Sequence, residues 1–277
     1  QFFHPSPANL AGNDDEANSL AGRIGTLSEL LGGPPEILFV PNETSPPLYD
    51  TYGSAALSEI LTLFHRCRRT VSRAHMYFIG TEGVARHPES LISRLPAEAE
   101  RECYEMTRRS FWEYAEIGYI QLVCFWDRVG QLLDFIFFNI RQYERDGFPA
   151  VIDRIAVNYL PLSLELSAAN SWERLLQYRR SESRDGFVWL LRRRNLLVHS
   201  LHLAPLATRE NDPLFISTYN HLEEKVLNQL RPTDPQSELD SLHAHLSACA
   251  RLFPDVLSIA ELGVRAAKSR WPDEKQQ

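Results

Sequence analysis

A chain of 277 residues, 44% of them apolar, is long enough to bury a substantial core as one large domain or two small ones. Its net charge of -7 argues against a protein that coats nucleic acid along its whole surface. The cations are nonetheless 26 arginines against three lysines, a bias that suits phosphate recognition and that a biased genome composition explains equally well.

Residues 1–50 are rich in Pro, Gly and Asn and read as an extended leader, with one short helix expected near 17–31. Gly22, Gly25 and Thr26 lack the Gly-Lys-Ser/Thr ending of a phosphate loop. From residue 51 onward the chain reads as a single all-α domain. Leu57, Ile60, Leu61, Phe64 and Val71 recur at helical spacing and predict a helix over 52–78. A Pro-bounded linker at 87–96 leads into the longest helical stretch, 97–143. Its second half is apolar nearly all round, as a central helix packed on several sides must be. Along it Asp127, Gln131 and Asp134 form one polar stripe. Two readings stand for that stripe: carboxylates pairing with Arg128 and Arg141 or lying at a solvated edge, and Asp127 neutralising and aiming an arginine of the later motif helix.

Gly147-Phe148-Pro149 breaks the chain, and helices are expected over 151–160 and 164–178 on either side of Pro161. Seven arginines then fall between Arg174 and Arg194 against Glu182 and Asp185. Such a run collects a phosphate backbone or is a solvated face paired with acidic neighbours. The next helical pattern, 186–203, contains Arg192-Arg193-Arg194-Asn195-Leu196-Leu197-Val198-His199. On a helical wheel Leu190, Leu191, Leu197, Val198 and Leu201 share a broad face with Arg194 in its middle, while Arg192 and Arg193 point elsewhere. A guanidinium stays charged, so its burial requires a compensating partner. Asn195 and His199, four residues apart, share the bordering polar seam. A surface loop over 204–218 and helices over 219–230 and 238–271, the last bent at Pro254, complete the reading.

No metal site is expected. His243 and His245 face opposite ways on a helix, and only His245 could share an ion with Cys249. The four cysteines form no Cys-x-x-Cys pair, no secretion leader is recognisable, and the most apolar stretch is broken by charges; a cytoplasmic protein that does not span a membrane is expected.

Arg194-Asn195-Leu196-Leu197-Val198-His199 resembles the Arg-(four to six residues)-His signature of the HEPN superfamily, the Asn position included. The resemblance implies an all-α, HEPN-like helical bundle that dimerises and brings two motifs into one cleft that cuts RNA without a metal or other cofactor. It implies His199 as general base or acid, Arg194 as the group that stabilises charge at phosphorus and Asn195 as the orienting group; on the functional reading of the polar stripe, Asp127 aims Arg194. Arg179, Arg180, Arg192 and Arg193 are the expected RNA contacts. A homodimer, an RNA substrate and an inhibitory antitoxin or defence-system partner complete the expectation of a toxin or anti-phage effector. The alternative is a non-catalytic helical module that binds RNA, nucleotide or a protein partner through the same residues.

Overall fold

The structure, a computed structural model, describes residues 48–86, 97–138, 147–199 and 234–270. Among these there are helices and turns and no strand, as expected for an all-α protein. The helices are α1 (Leu48–Arg86), α2 (Ala97–Phe138), α3 (Phe148–Asn158), α4 (Leu164–Ser167), α5 (Asn170–Arg180), α6 (Phe187–His199) and α7 (Pro235–Arg270), with a 3-10 turn at Leu160–Leu162. Residues 1–47 of the leader with the short helix expected near 17–31, the linker at 87–96, the end of the helix expected to 143, the loop at 204–218 and the helix expected over 219–230 lie outside the described residues. The first helix begins at Leu48, inside the stretch read as leader, and runs on to Arg86. The segment expected as one helix over 164–178 is two, because Ala168 and Ala169 close the single turn of α4 before α5 begins.

The chain clusters into two compact units. The first comprises the described residues 48–62, 125–138, 147–177 and 249–270; the second comprises 63–86, 97–124, 178–199 and 234–248. Each unit is assembled from segments distant in sequence.

In the first unit the C-terminal half of α2 is the hub. Phe125, Trp126, Val129, Leu132, Leu133 and Phe135 are all buried, which is what an all-round apolar helix requires. Gly130 allows α3 to approach: a Cβ there would stand 2.9 Å from the Cα of Phe148. Phe148 packs its ring on Trp126 with centroids 4.9 Å apart, and its N–H donates to Asp127 Oδ1 at 3.2 Å. Asp127 thereby satisfies one of the orphan donors at the start of α3, where Gly147 supplies no side chain of its own. The rest of the polar stripe is similarly engaged. Arg154 Nη1 of α3 reaches both oxygens of buried Asp134, at 2.5 and 2.7 Å, and Gln131 takes Arg128, which also pairs with Glu59. The stripe is therefore an internal polar network, with Asp134 paired to Arg154; Arg141, the other expected partner of its carboxylates, lies outside the described residues. The helix α7 continues through Pro254, whose carbonyl accepts the Ser258 hydroxyl.

In the second unit, Leu57-type spacing continues along α1 with Phe64, Cys67, Val71 and Ala74 buried, and α2 contributes Phe111, Trp112, Ala115, Tyr119 and Leu122. Thr70 donates to Gln121 at 2.8 Å between these two helices. The α5–α6 turn is built from short polar side chains: Ser181, Ser183 and Asp185 bond to one another, and Val188 N–H returns to the Ser181 carbonyl. Gly186 is needed in that turn, since a Cβ would collide with the Ser181 carbonyl oxygen. The turn delivers the chain into α6.

Candidate functional site

The signature residues all lie on α6. Its buried stripe is Phe187, Trp189, Leu190, Arg193 and Leu196, spaced three and four residues apart. Arg193, not Arg194, occupies the apolar face, and this corrects the wheel read from sequence. Leu190, Leu191, Leu196, Leu197 and Val198 leave apolar side chains around most of the helix, so their arc did not fix its phase. The aromatics Phe187 and Trp189 set it instead, and Val198, assigned to the buried face, is 50% exposed.

Arg193 is wholly buried, and its charge meets a carboxylate and two aromatic faces. Its Nη2 donates to Glu238 Oε1 at 2.9 Å, with both side chains fully inaccessible. Arg184 Nη2 reaches the same oxygen from the cluster's edge at 3.0 Å, and the Tyr119 hydroxyl donates to Oε2 at 2.8 Å. The Arg193 guanidinium lies over the Trp189 ring at 4.8 Å from its centroid and over Tyr119 at 5.7 Å. A planar cation of weak hydration, offered a carboxylate at one edge and two π-faces, recovers much of what desolvation costs. Tyr119 and Trp189 also meet edge to face. Burial, and then the negative charge of Glu238, hold the Tyr119 phenol well above its ordinary pKa, so it stays a donor at neutral pH.

Behind Trp189, His245 of α7 stacks parallel to the indole at 5.6 Å and 16°. Burial drives its pKa down to about 4, with the Arg184 and Arg193 cations adding a smaller push in the same direction and the Arg184 main chain and Asp185 opposing it. A neutral imidazole is the form that sits beside two guanidiniums. His243, on the other side of α7, meets His75 edge to face at 5.1 Å, and burial lowers both pKa values. No group of three or more metal-capable side chains is found among the described residues.

The remaining signature positions lie away from this anchor. Arg194 is partly buried and Asn195 is exposed. His199 is the last residue of α6, and its side chain lies outside the described residues. Asp127 belongs to the first unit, where it accepts the Phe148 N–H at the start of α3. Of the expected RNA contacts, Arg193 is withdrawn into the core and no phosphate reaches it. Arg192 pairs with Glu182 at 3.1 Å; Arg180 is exposed and Arg179 partly buried at the end of α5. Arg174 holds Asp255 through two hydrogen bonds, with its pKa raised by that bonding. Four of the seven clustered arginines thus hold carboxylates, and the basic run is in good part internal pairing. The residue that sequence reasoning missed is Glu238. Its signal was a carboxylate one turn into a long helix, flanked by Leu239 and Leu242 on the buried side.

Comparison with protein-family models, with curated proteins and with solved structures found no match. The likeness to the HEPN signature accordingly rests on the residues of α6. No described helix is long and apolar enough to cross a membrane, and no two of the cysteines are joined in a disulfide.

Proposed function

We propose that the protein is a metal-independent endoribonuclease of HEPN type, acting as a homodimer with α6 at a shared cleft. The observation that carries the reading is the two-sided construction of α6. One side is clamped by Arg193–Glu238, and the other presents Asn195 with Arg194 beside it, one turn ahead of His199 on a single helix. A clamp at the middle of the helix holds the neighbouring side chains to a fixed direction, which is what preorganised charge stabilisation requires.

In this mechanism a neutral His199 takes the proton of a ribose 2′-hydroxyl as the 2′-oxygen attacks the adjacent phosphorus, and the His199 imidazolium of the second copy protonates the departing 5′-oxygen. Arg194 stabilises the charge that builds on the phosphorus oxygens, and Asn195 orients the phosphate. A single motif per chain supplies one such imidazole, so a two-fold pair is the economical source of base and acid together. The half-exposed Val198 on the same outward side provides apolar area for that contact. Inhibition by an antitoxin or a defence-system partner belongs to the same proposal.

The test is cleavage of single-stranded RNA by purified protein in the presence of EDTA, with the product ends mapped. The expected products carry 2′,3′-cyclic phosphate and 5′-hydroxyl ends, and His199→Ala abolishes them. Full activity of His199→Ala, or loss of cleavage on chelation, overturns the mechanism. RNA binding without any cleavage by the wild-type protein would favour the non-catalytic module.

A further inference from the structure

Beside the Glu238 cluster the second unit carries a cleft of about 280 Å³ lined by Arg184, Asp185, Ser237, Asp240, Ser241 and Ala244. It is near the small end of ligand pockets, which begin at about 300 Å³. Ser241 lines the cleft while only 4% exposed, and its hydroxyl, though beside the Tyr119 phenol, makes no hydrogen bond of ordinary geometry among the described residues. A buried hydroxyl left in that condition costs free energy unless something entering the cleft meets it. Around it stand one guanidinium, already engaged by Glu238, and two carboxylates. That balance repels a phosphate and favours a group rich in N–H donors.

We infer that this cleft is a base-recognition subsite that takes guanine, with Asp240 and Ser241 as its specificity determinants; the inference rests on the ribonuclease reading. Guanine offers two adjacent donors, N1–H and the N2 amino group, which match a carboxylate, and two acceptors, O6 and N7, which match a guanidinium. Adenine, cytosine and uracil each present an acceptor beside or between their donors, where a carboxylate oxygen would oppose it. Asp240 is exposed at the cleft, and its Oδ1 takes Gln236 Nε2 at 2.7 Å; a carboxylate has about four lone-pair positions, so acceptor capacity remains. Arg184 supplies the donor side while spanning to Glu238 and lying over Trp189 at 5.7 Å. Asp185 is tied back by Ser183 at 2.6 Å and closes the acidic edge.

Saturation-transfer NMR with guanosine, adenosine, cytidine and uridine tests this on the full chain, because nucleosides carry no phosphate to confuse the signal with the arginine run. Guanosine is expected to bind at least about tenfold more tightly than the other three, and Asp240→Asn and Ser241→Ala are each expected to erase most of that preference. Thermal unfolding of both variants checks that the fold is kept; Asp240 is exposed, so its variant folds even if Ser241→Ala does not. Equal binding of all four nucleosides, no binding of guanosine, or an unchanged preference in Asp240→Asn overturns the inference. RNA cleavage with no guanosine preference would defeat the subsite and leave the nuclease standing, whereas selective guanosine binding without cleavage would do the reverse.

Discussion

Arg193 and Glu238 face each other at 2.9 Å with neither side chain open to solvent, joining α6 to the first turn of α7. The pair is not isolated: Arg184 and Tyr119 share the carboxylate, and Trp189 underlies the guanidinium. Removing one member of such a set leaves an uncompensated buried charge, which costs far more than the pair contributes as a whole.

Glu238→Ala is therefore expected to destabilise the fold by about 3–5 kcal/mol, since it leaves Arg193 buried without its carboxylate. Urea unfolding followed by tryptophan emission measures it. A loss below about 1 kcal/mol would mean that solvent or another acid compensates Arg193.

Arg193→Ala and Arg194→Ala, neighbours in sequence, should separate cleanly. The first loses stability on the scale of Glu238→Ala; the second leaves the unfolding midpoint nearly unchanged and abolishes RNA cleavage. If Arg193→Ala proves as stable as the wild type, the anchor is misassigned. The pair of variants thus distinguishes structural from chemical arginine on one helix.

His245 sets a pH dependence whose sign opposes that of a histidine stabilised by a partner. Its folded pKa of about 4 lies below the ordinary 6.5, so the unfolded chain binds the proton more readily. Stability is full above pH 6.5 and falls as the pH drops from there toward 4, by roughly 3 kcal/mol at most. His75 and His243, lowered in the same direction, add to the slope. Denaturation midpoints at pH 7.5 and 5.0 should differ in this sense, and His245→Phe, which keeps a ring against Trp189, should flatten most of the difference. An equal slope in His245→Phe would assign the effect to other groups.

Asp127→Ala should cost about 1 kcal/mol through the lost α3 cap while leaving the cleavage rate of folded protein within a few-fold of normal. A thousandfold drop in rate at unchanged stability would restore Asp127 to a role beside Arg194. Hydrogen exchange at the Phe148 amide gives the local readout.

Arg179→Glu with Arg180→Glu is expected to weaken single-stranded RNA binding and to reduce the slope of log affinity against log salt by roughly 1.4, the share of two phosphate contacts. An unchanged slope would mean that the run of arginines serves its carboxylates alone.

The helical class was legible because the apolar periodicities of α1, α2 and α7 are long, Gly147 stands at the N-terminal end of α3, and Pro161 falls in the 3-10 turn. The partners of the polar stripe were not legible: Asp134 meets Arg154 twenty residues on, and Asp127 meets a main-chain N–H, neither of which a helical wheel contains. The phase of α6 failed for a related reason. The apolar residues around most of the helix put Arg194 inward, whereas Glu238, 45 residues away in sequence, makes the inward position tolerable for Arg193. Units assembled from distant segments were likewise beyond a reading that proceeds window by window.

The close approach at Gly130 has a consequence for how this protein tolerates change. Any larger residue there would press on the main chain of Phe148 and not on a movable side chain, so neighbouring rotamers have no room to adjust. Variation at this position should be purged even in lineages where α6 and its outward residues drift freely. A library randomised at 130 and sorted for soluble expression should return almost nothing but glycine.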